Sequence, residues 1–159
     1  MNSTMLYDSN MEQVDRQIKD ETIRLLWRAG RGGKLLNARV DLALEATGLS
    51  GVQLLTLRHL VEAGGPVALS QLADRMGFPR SNVTWIIDRL EEDSLVERVR
   101  DPKDRRSVLA QVTEKGHECY EQGMRALTVV EDYIEEQFTP GERAILIELM
   151  SRLDKEPFR

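Results

Sequence analysis

The chain of 159 residues has a single cysteine, Cys119. That excludes an intrachain disulfide and a cysteine-rich zinc site. Its two histidines, His59 and His117, stand apart from each other, so no metal-ligand cluster is visible. Aromatic residues make up 5%. No apolar run approaches the roughly 20 residues that a membrane-spanning helix needs. The first residues, MNSTMLYDSNMEQ, lack the basic end and apolar segment of a secretory signal. The expectation is a soluble cytoplasmic protein without membrane attachment. No Ser/His/acid set appears, and the glycine-rich Gly30-Arg31-Gly32-Gly33 lacks the Lys-Ser/Thr of a phosphate-binding loop. We therefore expect no enzyme, no catalytic residue, no cofactor and no metal.

What the chain does have is 41% apolar residues, enough for a core in one domain with helical extensions, and a net charge of −5. The charge is unevenly spread. Residues 70–116 hold nine Lys/Arg and nine Asp/Glu, and residues 1–69 hold eight of each. Residues 117–159 hold five basic and ten acidic side chains, so they carry the whole excess. Exposed charges farther apart than about 8–10 Å are largely screened. A neutral segment with a locally basic tip can therefore still bind phosphates while the acidic segment lies elsewhere.

In chain order, residues 1–10 are polar. Residues 11–47 read as helix, with Val14, Ile18, Leu25, Leu26, Leu35, Leu36, Val40 and Leu44 as its apolar positions. Each interior glycine of Gly30–Gly33 costs about 1 kcal/mol relative to alanine. They mark a kink, a break between two helices, or a close backbone approach to a partner helix or ligand. Ser50 and Gln53 have capping-box spacing for the next helix, which Ala63-Gly64-Gly65-Pro66 stops. Val67-Ala68-Leu69 is short and extended, suited to a small strand.

Residues 70–116 organise the rest. Ser70 is expected to cap a short helix, SQLADRM, whose Leu72, Ala73 and Met76 face inward. Gly77 suits a helix C-terminus, and Pro79 suits the first position of the next helix. In that helix, roughly 79–93, Val83, Ile86, Ile87 and Leu90 fall on one face. Ser81, Trp85 and Asp88 fall opposite, flanked by Asn82, Thr84 and Arg89. Asp88 is read as pairing with Arg89 or a wing arginine. A hairpin follows, with Leu95–Val99 and Ser107–Thr113 as its strands. Lys103, Arg105 and Arg106 stand at its tip. Such a tip is either an ordinary solvated turn or a wing that reaches nucleic acid. Thr113 caps a long helix to about Phe138, and Thr139-Pro140-Gly141-Glu142 opens another. These terminal helices and the first carry more apolar surface than one slim bundle buries, which predicts a homodimer.

The ordered set Leu72-Ala73, Val83–Glu91, Leu95–Arg98, Asp104-Arg105-Arg106 and Val112-Thr113 to Gly116 resembles the MarR family of bacterial winged helix-turn-helix regulators, over roughly residues 20–155. The resemblance implies a mainly α fold with a small β-wing. Residues 11–47 would be an N-terminal dimerisation helix kinked at 30–33, residues 49–116 the DNA-binding domain, and residues 117–157 C-terminal dimerisation helices. The implied function is a homodimeric, sequence-specific DNA-binding transcriptional regulator, a repressor released by a small effector, which in many relatives is aromatic. Its partner would be duplex DNA with a pseudo-palindromic operator, read in successive major grooves. A winged-helix module that binds protein or RNA is the alternative.

Carried over by that resemblance, Arg106 is the wing arginine entering the minor groove, where narrow A·T-rich DNA attracts a cation. Asp104 orients it, and Lys103 and Arg105 contact phosphate. Arg80, Ser81, Asn82, Thr84, Trp85 and Arg89 are the candidates on the recognition helix. Asn82 suits an adenine edge and Arg80 a guanine edge or phosphate. Many relatives carry arginine where this chain has Trp85. Tryptophan has one N–H donor and makes no bidentate guanine contact, so it touches a thymine methyl, packs on the backbone, or folds back on the domain. Trp27, Arg28, Arg31 and His59 lie near where the family's effector cleft would form. Trp27 is otherwise core or interface packing, and His59 a helix surface residue. Cys119 stands beside Glu118 and Glu121, which do not favour a thiolate, and is read as structural.

Overall fold

The computed structural model describes residues 20–101 and 108–153. It divides into two units, residues 1–38 and 39–159. The first helix, α1 (Asp20–Leu44), begins in the first unit and ends in the second. Where the sequence suggested a kink or a break, α1 continues as helix through Gly30–Gly33. Among the described residues, a Cβ at Gly30, Gly32 or Gly33 would meet no atom within 4 Å, so no close approach there requires them.

The second unit is a winged-helix body. A 3-10 turn (Glu45–Thr47) leads to α2 (Gly51–Ala63). The capping box expected at its start is present: the Ser50 hydroxyl accepts from the Gln53 N–H, and the Gln53 side chain accepts from the Ser50 N–H at 2.9 Å. Then come β1 (Val67–Ala68), α3 (Leu69–Met76), α4 (Arg80–Glu92), β2 (Val96–Arg100) and β3 (Val108–Val112). The sheet is antiparallel, in the order β1-β3-β2. Val67 stands opposite Ala110, and Val96 opposite Val112. The short strand read at residues 67–69 thus closes the edge of the wing.

Ser70 does not cap α3. The N-cap is Ala68, with no side-chain bond, and the helix begins at Leu69. Ala68 is held in extended geometry by pairing with Leu109 on β3, so the chain passes from strand to helix without a free capping position. Gly77 does end α3, in the left-handed conformation (φ 65°) that a side chain resists. The long helix expected from residue 113 to 138 is two: α5 (Glu114–Ala126) and α6 (Thr128–Gln137). The break falls before Thr128-Val129-Val130, three β-branched residues in a row, whose stiff χ1 disfavours helix. The Thr128 hydroxyl donates to the Arg125 carbonyl at 2.9 Å. α7 (Pro140–Ser151) opens on the expected capping box of Thr139 and Glu142, with Pro140 in its first turn. Two hydrogen bonds from Thr139 hold the Glu142 carboxyl below the usual carboxylate range.

The core lies beneath α4. Leu54, Leu57 and Leu60 of α2, Leu72 and Ala73 of α3, and Val83, Ile86, Ile87 and Leu90 of α4 are buried together with Val96 and Ala110 of the sheet. Full burial of each large aliphatic side chain contributes roughly 1.5–3 kcal/mol. Cys119 packs partly buried against this core. Burial and the nearby Asp93 push its thiol pKa up, against Lys115, which pulls it down. That fits the structural reading, since the protonated thiol is the inert form.

The exit from α4 is tied to the start of α5. Ser94 takes a positive φ of 59°. Its carbonyl accepts the Thr113 hydroxyl at 2.8 Å, and Lys115 donates to the Asp93 carbonyl at 2.7 Å. Gly116 seats directly on this corner: a Cβ there would overlap the Leu95 carbonyl oxygen and stand 2.7 Å from Val112 Cγ2. At Gly123 a Cβ would meet the flexible ends of side chains, Leu54 Cδ1 at 2.6 Å and Leu49 Cδ1 at 3.5 Å. Gly116→Ala is expected to destabilise the fold by about 2–4 kcal/mol, as overpacking against backbone does, and Gly123→Ala by distinctly less. Thermal or urea unfolding of both variants checks the order; equal losses would contradict it.

Candidate nucleic-acid interface

The burial of one face of α4 fixes what its other face shows. With Val83, Ile86, Ile87 and Leu90 inside, Arg80, Ser81, Asn82, Thr84, Trp85 and Arg89 are all exposed. Every recognition-helix candidate named from the sequence therefore lies on one solvent-facing surface. Trp85 is 58% exposed, so it does not fold back into the domain. The Arg89 guanidinium stands 5.7 Å from its ring centroid and donates to Glu92 at 2.8 Å. Both partners of that ion pair are about half exposed. Exposed pairs of this kind are worth about 0–1 kcal/mol, so Arg89 can leave for another anion at little cost.

The start of α4 also suits an anion. Pro79 is its N-cap and offers no side-chain acceptor to the first N–H groups, and Arg80 stands in the first turn. Uncapped N–H groups and the helix dipole favour negative charge at such an end. Thr84 is less ready to donate, because its hydroxyl already donates to the Arg80 carbonyl at 2.9 Å. It must rotate before it can bond a phosphate.

Of the two partners read for Asp88, Arg89 or a wing arginine, the structure supplies the second, from a wing strand. Asp88 accepts from Arg98 on β2 at 2.5 Å, and Glu91, one turn on, accepts from the same guanidinium at 2.5 Å. Arg98 is partly buried, with its side chain 26% exposed. Burial alone would lower its pKa, but the bonds and charges of Asp88 and Glu91 outweigh that and raise it. The sequence reading passed over Arg98 as a site residue. The signal was there in Asp88 and Glu91, spaced to share a helix face, followed by a strand whose Arg98 faces back.

Lys103, Asp104, Arg105 and Arg106 lie outside the described residues. β2 and β3 pair as far as Arg100 opposite Val108, so the basic segment joins the ends of this hairpin. Trp27, Arg28 and Arg31 are exposed on α1, and His59 is half-buried on α2. Trp27 is 75% exposed, so it is not core packing in this chain. Among the described residues there is no group of His, Cys, Asp and Glu suited to a metal, and no helix long and apolar enough to cross a membrane.

Comparison with known proteins agrees with this geometry. The MarR family model matches residues 47–107. The transcriptional repressor MprA of Escherichia coli K12 is 33% identical over 134 residues, covering 77% of this chain and 72% of that protein. The HTH-type transcriptional regulator YkoM of Bacillus subtilis is 35% identical over 96 residues, 59% of this chain; the match spans 61% of that relative's length. The crystal structure of Sco3205, a MarR family regulator from Streptomyces coelicolor in complex with DNA, superposes with a TM-score of 0.77 at 25% identity, covering 86% of this chain and 87% of that one. With a helix-turn-helix, a three-stranded wing and this level of identity to its relatives, the chain belongs to the MarR family of winged-helix transcriptional regulators.

Proposed function

We propose that this protein is a homodimeric, sequence-specific DNA-binding repressor that a small aromatic effector releases from its operator. Its family and relatives are transcriptional regulators, which are not enzymes. The observation that carries the reading is the exposed face of α4. Arg80, Ser81, Asn82, Thr84, Trp85 and Arg89 form one polar surface on a helix whose opposite face is locked in the core. Beside it stands a hairpin whose connecting segment holds Lys103, Arg105 and Arg106. α4 enters the major groove and Asn82 reads an adenine edge. Arg80 and the uncapped helix start hold phosphate. Trp85 contributes an apolar contact to a thymine methyl or the sugar. Arg106 enters the minor groove, with Asp104 orienting it and Lys103 and Arg105 on the backbone. MprA, named a repressor, supports that sign of regulation.

Exposed apolar side chains support the dimer. Leu25, Leu26, Trp27 and Leu35 of α1 are more than half exposed, and so are Ile145 and Ile147 of α7 and Leu153 beyond it. Large apolar side chains left exposed in such number on helices suit burial against a second copy. Size-exclusion chromatography with light scattering at micromolar concentration is expected to give twice the chain mass, and a monomer would refute the dimer.

Footprinting on the protein's own promoter region is expected to show a protected pseudo-palindrome; weak binding without protection would favour a protein- or RNA-binding module. Arg106→Ala is expected to cost at least about tenfold in operator affinity, with unchanged thermal stability. Near-wild-type binding at physiological salt would remove the wing arginine from the mechanism. Trp85→Arg is expected to alter sequence preference more than overall affinity, read by competition among operator variants.

The effector reading rests on family resemblance and on Trp27, Arg28, Arg31 and His59. A ligand lowers DNA affinity only by preferring the non-binding conformer. Phenolic and salicylate-like acids are expected to raise the melting temperature and release operator; no response across both classes would count against an aromatic effector.

A further inference from the structure

A cluster of charged side chains lies between α4 and the wing, beyond the proposed base-reading face. Asp88 and Glu91 lie three residues apart on α4 and converge on one guanidinium, Arg98 of β2. Each bond is 2.5 Å, and the two carboxylates use different nitrogens, Nη2 and Nη1. Arg98 is the least exposed of the three, its side chain 26% exposed against 49% and 40% for the acids. The stem of an arginine packs on apolar surface while its head stays polar. A guanidinium fork with both arms occupied fixes direction as well as distance, which a lysine would not.

This arrangement poses a problem for a helix that approaches DNA. Asp88 and Glu91 put two negative charges on α4, which holds the proposed base-reading residues. Alone, they would repel phosphate. Pairing to Arg98 offsets one of the two charges, and the wing is tied to the helix at the same point. Both terminal nitrogens of Arg98 are directed at α4 while the two bonds hold.

We propose that Arg98 is a positioning residue for DNA binding: through Asp88 and Glu91 it fixes the wing to the recognition helix, so that both reach the duplex in one register. It acts without touching the DNA. The proposal rests on the DNA-binding reading above for its effect on affinity, but the clamp itself has a signature in the free protein.

The sign of one substitution separates the clamp from simple electrostatics. Asp88→Asn removes a negative charge near the DNA. If charge alone mattered, binding would strengthen. If the clamp matters, binding weakens, by about tenfold, a coupling typical of contacting charged pairs. Arg98→Met keeps the apolar stem and is expected to cost a similar factor. The double variant Arg98→Met/Asp88→Asn is expected to lose no more than the worse single variant, because both break one device. Arg98→Lys is expected to recover only part of the loss.

Two readouts accompany the affinity measurement. Thermal unfolding identifies a variant that merely fails to fold, and Glu91→Gln, which leaves the Asp88 bond in place, serves as a milder second variant. Hydrogen–deuterium exchange on the free protein is expected to show faster exchange in Val96–Arg100 and Val108–Val112 in Arg98→Met and Asp88→Asn, with α2 and α5 unchanged. Tighter binding by Asp88→Asn, or additive losses in the double variant, would overturn the proposal. So would unchanged exchange in the wing strands. A wild-type protein that protects no operator would instead refute the DNA-binding reading, while faster wing exchange in the variants would still establish the clamp.

Discussion

The structure depends first on the burial of one face of α4. Val83, Ile87 and Leu90 are wholly buried and Ile86 nearly so, among Leu57, Leu60 and Leu72 of the two helices before it. A thirteen-residue helix is marginal alone in water, because nucleation is costly and propensity is weak. Tertiary packing therefore supplies its stability and sets its rotation about its own axis. That rotation decides which side chains meet solvent. The polar face is thus a consequence of the core, and no separate device is needed to present Asn82 and Trp85.

A second constraint is the corner at Asp93–Leu95. The chain leaves α4 through a left-handed Ser94, and the carbonyls of residues 93, 94 and 95 are taken by Lys115 and Thr113. Gly116 lets α5 lie against that corner. Together with the Arg98 fork, this ties α4 at its end to both the wing and the following helix. This helix and its scaffold are joined through hydrogen bonds with defined direction, where apolar contact alone would permit sliding.

Electrostatics is arranged locally. A chain of net charge −5 can serve an anionic partner because its acidic excess lies in residues 117–159. The acids that stand on α4 are answered at short range: Asp88 and Glu91 by Arg98, and Glu92 by Arg89. Two arginines at 2.5–2.8 Å offset most of the charge of these three acids, where distant compensating charges would be screened.

Much of this was legible in the chain itself, for local reasons. Ser50 with Gln53, Thr113, and Thr139 with Glu142 announce helix starts because a cap and its helix are neighbours in sequence. Gly77 marks a turn because only a residue without Cβ sits easily at that φ. The spacing of Val83, Ile86, Ile87 and Leu90 gives the buried face because helical period is intrinsic. Other features were set by partners distant in sequence. Ala68, not Ser70, precedes α3 because β3, some forty residues on, holds it extended. The helix expected from 113 to 138 divides at Leu127, where the apolar periodicity runs on unbroken and hides the weak propensity of the residues beyond. Asp88 has Arg89 beside it in sequence, yet successive residues on a helix point apart, and the fold brings Arg98 to it instead. By itself, the sequence determined most of the elements, the inward face of α4 and the family, because these follow from local pattern. Only the tertiary structure decided which charge meets which, because an ion pair depends on where a strand crosses a helix.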